Sequence, residues 1–535
     1  MKNLKRIILI ILGILGVFVV FVVSTAFYNV SKPAVFVNEK VVFKNKLVIP
    51  PLLEPKIENG EKVFDIKIQE GETAIFSGKP TKTFGFNGSI LGPTIRANTG
   101  DKVRMNVINS LDEATTVHWH GMHLPASMDG GPHQIIAKDE TWKPYWTITN
   151  QAATLWYHPH MMGVTGRQVY NGLAGFFIID DENVESLNLP KDYGVDDIPL
   201  VVQDRKFNTD NQLVYDHSHM IHEITAGMLG NIILVNGTYA PYLEVPAKLV
   251  RLRVLNGSNA RRYNFGFSNN YKFYQIASDG GLLPAPVEKT RMQLSPGERA
   301  EILVDLTNLK EPLTLMSYPV VGDPNKVRDF ALGAIVGATD NNQQFKILEL
   351  RPASPASKRD EPQSGEFAKQ EIPQVLNKIN RLDEASVSKT RVITLDTAAI
   401  NGKKMDSSRI DDIVTKGDVE IWNVRNESPI HHPFHIHGVQ FLVLERNGQK
   451  PPPGEEGWKD TVSLNPEELV RLIMQFNDYS DPNLPYMYHC HNLEHEDMGM
   501  MAQFVVVDKG TKIDDIKIKS EIQNNFKGEM DMMQH

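Results

Sequence analysis

The chain has 535 residues, 41% hydrophobic and 23% charged, a balance that suits three or four folded domains with large cores. A formal net charge of −9 argues against a general nucleic-acid binder. The single cysteine excludes an intrachain disulfide, a CxxC metal site and covalent c-type haem attachment.

Lys2, Lys5 and Arg6 precede an uncharged apolar run over residues 7–23. The run is slightly long for a signal-peptide core and slightly short for a span of about 20 residues. Extension to Tyr28 reaches spanning length, while Ser24-Thr25-Ala26 offers a small-residue cleavage site. Two readings of residues 1–30 therefore stand: a signal peptide cleaved after Ala26, or a membrane tether through residues 7–28. Both leave the positive flank inside and the body extracytoplasmic, either anchored in the cell membrane or secreted. No cysteine lies near residue 26, so a lipoprotein anchor is excluded.

Three windows of the body resemble one another: residues 100–109, 247–256 and 417–426. Each ends Val-x-Asn, and polar and apolar residues largely alternate, the mark of a strand with one buried face. Turn signals such as Asn87-Gly88, Asp129-Gly130-Gly131, Asn256-Gly257 and Ser295-Pro296-Gly297 punctuate the chain. Short strands between such turns predict an all-β protein of three related sandwich domains. The expected boundaries are 50–185, 195–342 and 390–508. The acidic stretch 180–197 and the polar, proline-containing stretch 343–389 read as linkers, and 509–535 as a flexible tail.

Ten of the 17 histidines stand in four motifs. They are His118-Trp119-His120-Gly121, His158-Pro159-His160, His432-Pro433-Phe434-His435-Ile436-His437, and His489-Cys490-His491 followed by His495 and Met500. In a strand, residues i and i+2 share a face, so each His-x-His pair aims two imidazoles the same way. Cys490 then points opposite to His489 and His491, and one short strand serves two metal sites joined by a few covalent bonds. A thiolate, two imidazoles and a thioether (Cys490, His432, His495 and Met500) fit a blue-copper electron-transfer site. A structural zinc site would gain nothing from the thioether. An all-imidazole cluster suits copper and leaves positions open for dioxygen.

With these four motifs complete and in order, residues 60–508 resemble the multicopper oxidases of the laccase, bilirubin-oxidase and copper-efflux group. The stretches Asp197–Arg205 and 255–261 are also similar to the three-domain bacterial members. The resemblance implies three Greek-key cupredoxin domains, with four copper ions held by the first and third. It implies a type 1 copper on His432, Cys490, His495 and Met500, and a type 2 copper on His118 and His435. One type 3 copper would take His120, His158 and His491, the other His160, His437 and His489. The implied partners are dioxygen and a small-molecule or metal-ion reductant. Reduction of dioxygen to water needs protons, and Asp129 and Glu496 occupy the family positions of carboxylates that supply them.

His217, His219 and His222 are expected in a solvated loop, and Met530, Met532, Met533 and His535 in a frayed tail. His431 is expected on the substrate side of His432. The chain departs from the copper-efflux members, whose methionine-rich insert has no counterpart in the methionine-free stretch 341–390. Ser428 and Ile430 replace an Asp and a Met that those enzymes carry before the third motif. Lys5-Arg6 is not a twin-arginine signal, so export before copper loading is expected. The sequence therefore favours a laccase-like oxidase of phenols, aromatic amines or similar reductants. A cuprous or other metal-ion oxidase for copper homeostasis is the alternative. A copper-free scaffold of the same fold is third, because every ligand is present.

Overall fold

The computed structural model describes residues 35–215, 226–320, 343–352 and 371–518. The protein is nearly all β, built as three cupredoxin-like sandwiches in chain order. The first pairs a six-stranded sheet around Glu61–Thr73 and Lys102–Asn109 with a four-stranded sheet of Ile95–Asn98, Gly175–Asp180, Ala153–His158 and His118–His120. The second pairs two seven-stranded sheets, and the third a four-stranded with a five-stranded sheet. Each sandwich closes over its own apolar core, centred on residues such as Phe64 and Trp119, Phe265 and Ile302, and Trp422 and Phe434.

The repeated windows become equivalent strands: Lys102–Asn109, Leu249–Asn256 and Val419–Asn426. Each lies parallel to an earlier strand of its sandwich. The terminal asparagine does the same work three times. Asn109, Asn256 and Asn426 are fully buried, and each side-chain oxygen accepts the backbone N–H two residues on. Each amide donates to one carbonyl four or five residues ahead, on Glu113, Arg261 or Ile430. Each also donates to a distant carbonyl, at Ile136, Leu294 or Leu464. An asparagine that completes a turn on its own backbone and ties it to a distant carbonyl fixes where the chain goes next. In the third sandwich it goes to the loop before His432.

One expected boundary is corrected. The linker does not begin at residue 343, because Gln343–Pro352 is a ten-residue strand of the second sandwich. It is hydrogen-bonded to Pro241–Val245 and Leu313–Ser317, and Phe345, Ile347 and Leu350 are buried in the core. Leu376 further along is also buried; it packs among Val184, Leu189 and Ile276, so this part of the connector straps the first and second sandwiches. Residues ahead of the first sandwich also join the second: Val35–Phe36 pairs with Gln343–Pro352, and Asn45–Lys46 with Pro241–Val245.

Among the described residues no helix is long and apolar enough to cross a membrane. The apolar run 7–23, the His217–His222 stretch and the terminal methionines lie outside the described residues. Of the expected tail, residues 509–518 are described and carry one short turn, Ile513–Asp515.

Candidate metal centre

Strand parity sorts the donors as spacing predicts. Tyr486–Cys490 runs antiparallel to His432–Ile436, with His435 opposite His489 and Phe434 opposite Cys490. Odd-numbered residues of both strands face the first sandwich. Even-numbered Phe434, Ile436, Tyr488 and Cys490 enter the third sandwich's core. In the first sandwich His118 lies opposite His158, and Trp119 opposite Tyr157. Trp119 and Tyr157 anchor the core, which leaves the imidazoles on the outer face.

On the inner face, Cys490 Sγ lies 3.3 Å from His432 Nδ1 and 3.7 Å from His495 Nδ1. The short helix Leu493–Asp497 brings His495 back over the thiol, and Met500 packs in the same core as Cys490. The Asn492 backbone N–H donates to the sulfur at 3.4 Å. His432 Nε2 meets Ser428 Oγ at 2.8 Å, which leaves Nδ1 to face the sulfur. Burial pushes the Cys490 thiol up and holds the His432 imidazole neutral. A thiolate in so dry a pocket needs a cation against it.

On the outer face the two sandwiches meet ring to ring. His118 stacks on His437 at 3.8 Å, and His120 on His435 at 3.7 Å. His160 Nε2 and His437 Nε2 approach His489 Nε2 to 3.0 and 3.1 Å. His491 lies among His120 and His158, with ring centroids 5.0 and 5.3 Å away. The far nitrogens have partners. His437 Nδ1–H donates to Asp129 Oδ2 at 2.7 Å, His118 Nδ1–H to the Asp129 carbonyl, and His435 Nδ1–H to the Asp460 carbonyl. Glu496 places Oε1 3.4 Å from His160 Nδ1 and Oε2 3.2 Å from His489 Nδ1. Protons held at Nδ1 leave the lone pairs on Nε2, directed at one another.

Burial lowers His120, His158, His160, His435 and His491 well below the ordinary imidazole value, and brings His437 to about 3. Burial works against ionising Asp129 and Glu496, but their histidine neighbours outweigh it. Asp129 is held well below the carboxylate range, and Glu496 is brought down to about 2. His118 Nε2, His435 Nε2 and both nitrogens of His491 are buried without a hydrogen-bond partner. Neutral imidazoles with converging, unmatched lone pairs in a dry cavity are the donor set of a metal cluster.

Profiles described as multicopper oxidase match residues 67–184 and 371–510. The chain is 37% identical over 472 residues to multicopper oxidase mco of Staphylococcus haemolyticus, covering 87% of this chain and 93% of that one. This chain belongs to the multicopper oxidase family. It is a copper-dependent oxidoreductase. A laccase from Pediococcus acidilactici is similar in structure, with a TM-score of 0.73 and 37% identity over 89% of this chain and 95% of that one. The cell division protein FtsP of Dickeya dadantii is 36% identical over 464 residues, covering 86% of this chain and 92% of that one.

All the residues singled out from the sequence as ligands come together in these two places, and Asp129 and Glu496 both touch ligand imidazoles. His431 is held between the second and third sandwiches: its Nε2 meets Ser463 Oγ at 2.5 Å and Ser295 Oγ at 3.1 Å. Sequence reasoning missed Asp460, Thr461 and Arg299. Asp460 and Thr461 bond His120 Nε2 at 2.9 and 3.1 Å, and Arg299 bonds Asp460. No histidine or cysteine neighbours them in sequence to draw attention.

Proposed function

We propose that this multicopper oxidase is laccase-like and takes electrons singly from a small organic reductant beside the Cys490 pocket. The observation that carries the reading is the complete pair of donor sets back to back on the Tyr486–Cys490 strand. His432, Cys490, His495 and Met500 would hold a type 1 copper, and His118 with His435 a type 2 copper. His120, His158 and His491 would hold one type 3 copper, and His160, His437 and His489 the other. When bound, the four ions supply one-electron uptake at type 1 and four-electron reduction of dioxygen to two waters at the trinuclear group. The path between the two sets is the peptide from Cys490 to His489 and His491. Asp129 and Glu496 relay protons: both rest ionised against imidazole N–H groups, so each takes up a proton before passing it inward. The apolar run 7–23 fits an enzyme acting outside the cytoplasm.

A cavity of about 320 Å³ between the second and third sandwiches adjoins the partners of His431. Met292, Ser295, Ser463 and several charged groups line it. Its carboxylates are already matched, Glu298 by Lys459 at 3.1 Å, and Glu455 and Glu468 by Arg446 at 2.8 and 3.0 Å. Paired carboxylates offer little to a metal cation, and this favours a polar organic reductant over the metal-ion alternative. The third reading, a copper-free scaffold, has no need of a complete donor set.

The test is an absorption spectrum and oxygen-uptake assay on the copper-loaded chain, with a phenolic dye and separately Cu(I), beside Cys490→Ser. An intense visible band and oxygen uptake, both lost in C490S, are expected, with the dye as the better reductant. Preference for Cu(I) would move the assignment to a cuprous oxidase. A chain loaded with copper but lacking the band would overturn it.

A further inference from the structure

The middle sandwich supplies none of the donors, yet one of its turns reaches them. Residues 295–299 lead into the strand Arg299–Asp305. The Arg299 guanidinium is fully buried and forks onto Asp460 of the third sandwich, Nη1 to Oδ1 at 2.7 Å and Nη2 to Oδ2 at 2.6 Å. Its Nε–H donates to the Thr154 carbonyl of the first sandwich at 2.9 Å, so one side chain joins all three. Asp460 Oδ1 then accepts the Nε2–H of His120 at 2.9 Å, and Thr461 Oγ1 supports the same nitrogen at 3.1 Å.

This turns His120 the other way round. His118, His435 and His437 hold their proton at Nδ1, but His120 holds it at Nε2, and its Nδ1 faces His158 Nε2 at 3.4 Å. One glycine makes room for this contact, and a second makes room for His491 beside it. A Cβ on Gly121, directly after His120, would lie 2.5 Å from Asp460 Oδ2 and 2.9 Å from Arg299 Nη2, and its φ is +85°. A Cβ on Gly297, at φ +83°, would lie 3.0 Å from the ring of His491. The glycine that closes the His118-Trp119-His120-Gly121 motif is where the ion pair must pass.

We propose that Asp460, clamped by Arg299 of the middle sandwich, is a positioning residue that selects Nδ1 of His120 as its donor atom. The middle sandwich, which contributes none of the ligands assigned above, thereby governs assembly of one half of the type 3 pair. The inference rests on the ligand assignment proposed above. A planar fork fixes the carboxylate, the carboxylate fixes the imidazole proton, and the proton fixes which nitrogen is left to donate. An asparagine at 460 breaks the fork and can offer its own N–H to Nε2, which favours the opposite tautomer.

The test compares the copper-loaded full chain with Asp460→Asn, Gly121→Ala and, as control, Asp279→Asn. Asp279 belongs to the same buried charged group, accepting the Arg299 backbone N–H at 2.7 Å and pairing with Lys459 at 2.8 Å. The readouts are copper per chain, the visible type 1 band, the near-ultraviolet band of a coupled type 3 pair, and the electron spin resonance of uncoupled Cu(II). D460N and G121A are expected to keep the visible band, to lose the coupled-pair band, and to bind copper there about 10–100-fold more weakly. D279N is expected to keep all of them. Wild-type copper content and a coupled pair in D460N would overturn the proposal. So would an equal loss in D279N, which would make the group interface cement alone. A wild-type chain without either band would overturn the ligand assignment first, and the inference with it.

Discussion

The two faces of the Tyr486–Cys490 strand are built on different principles. The Cys490 face is closed within one core: His432, Cys490, His495 and Met500 belong to the third sandwich, and Ser428 orients His432 from the same loop. The His489 face exists only where two sandwiches dock, with imidazoles of each stacked on the other. One pocket is a local consequence of sequence, the other a consequence of assembly. The docked face accordingly carries the buried carboxylates Asp129, Glu496 and Asp460, which hold imidazoles from more than one sandwich, whereas the supports around Cys490 and His432 include the Ser428 hydroxyl, the Asn492 backbone N–H and the Asp396 backbone, all from the third sandwich.

The largest separation of the two faces is expected from Glu496→Gln. It removes a charge that lies directly against His160 and His489 and acts on Cys490 only at longer range. Oxygen uptake should fall about 100-fold or more, with the visible band intact and the deficit shrinking at lower pH as solvent protons substitute for the relay. Loss of the visible band in E496Q would show that the faces are not independent.

Acid should strike the metal-free protein through the same histidines. Burial lowers His120, His158, His160, His432, His435, His437 and His491 in the fold, whereas the unfolded chain protonates them near pH 6.5. Below that pH the unfolded state binds more protons. The stability these groups contribute is therefore present above pH 6.5 and lost as pH falls, by up to about 1.4 kcal/mol per pH unit for each histidine. Urea unfolding of metal-free protein between pH 8 and 5 measures it. A flat profile would mean that the imidazoles open to water once the metal is gone.

The smallest effect belongs to the local face. Ser428→Ala removes one of the two partners that orient the His432 imidazole, the Asp396 backbone being the other, and should weaken type 1 copper binding by up to about 10-fold, with trinuclear loading unchanged. Competition with a chelator, read on the visible band, resolves it.

Much of this was legible without coordinates, because strand parity is a property of the chain. The His-x-His spacings, with Cys490 between two histidines, already assign donors to opposite faces, and the Val-x-Asn endings already mark equivalent strands. Asp129 and Glu496 were legible through family resemblance. The strand Gln343–Pro352 was not, since its charged residues and flanking prolines obscure an alternation that has meaning only beside Pro241–Val245 and Leu313–Ser317. Asp460 and Arg299 were not legible either. They stand 161 residues apart, and His120 lies 340 residues before Asp460. The sequence by itself determined which side chains could bind metal and which face each takes, because both follow from local backbone geometry. Only the tertiary structure decided which carboxylate each imidazole meets, because Asp460 reaches His120 only where the first and third sandwiches dock, held there by Arg299 of the second.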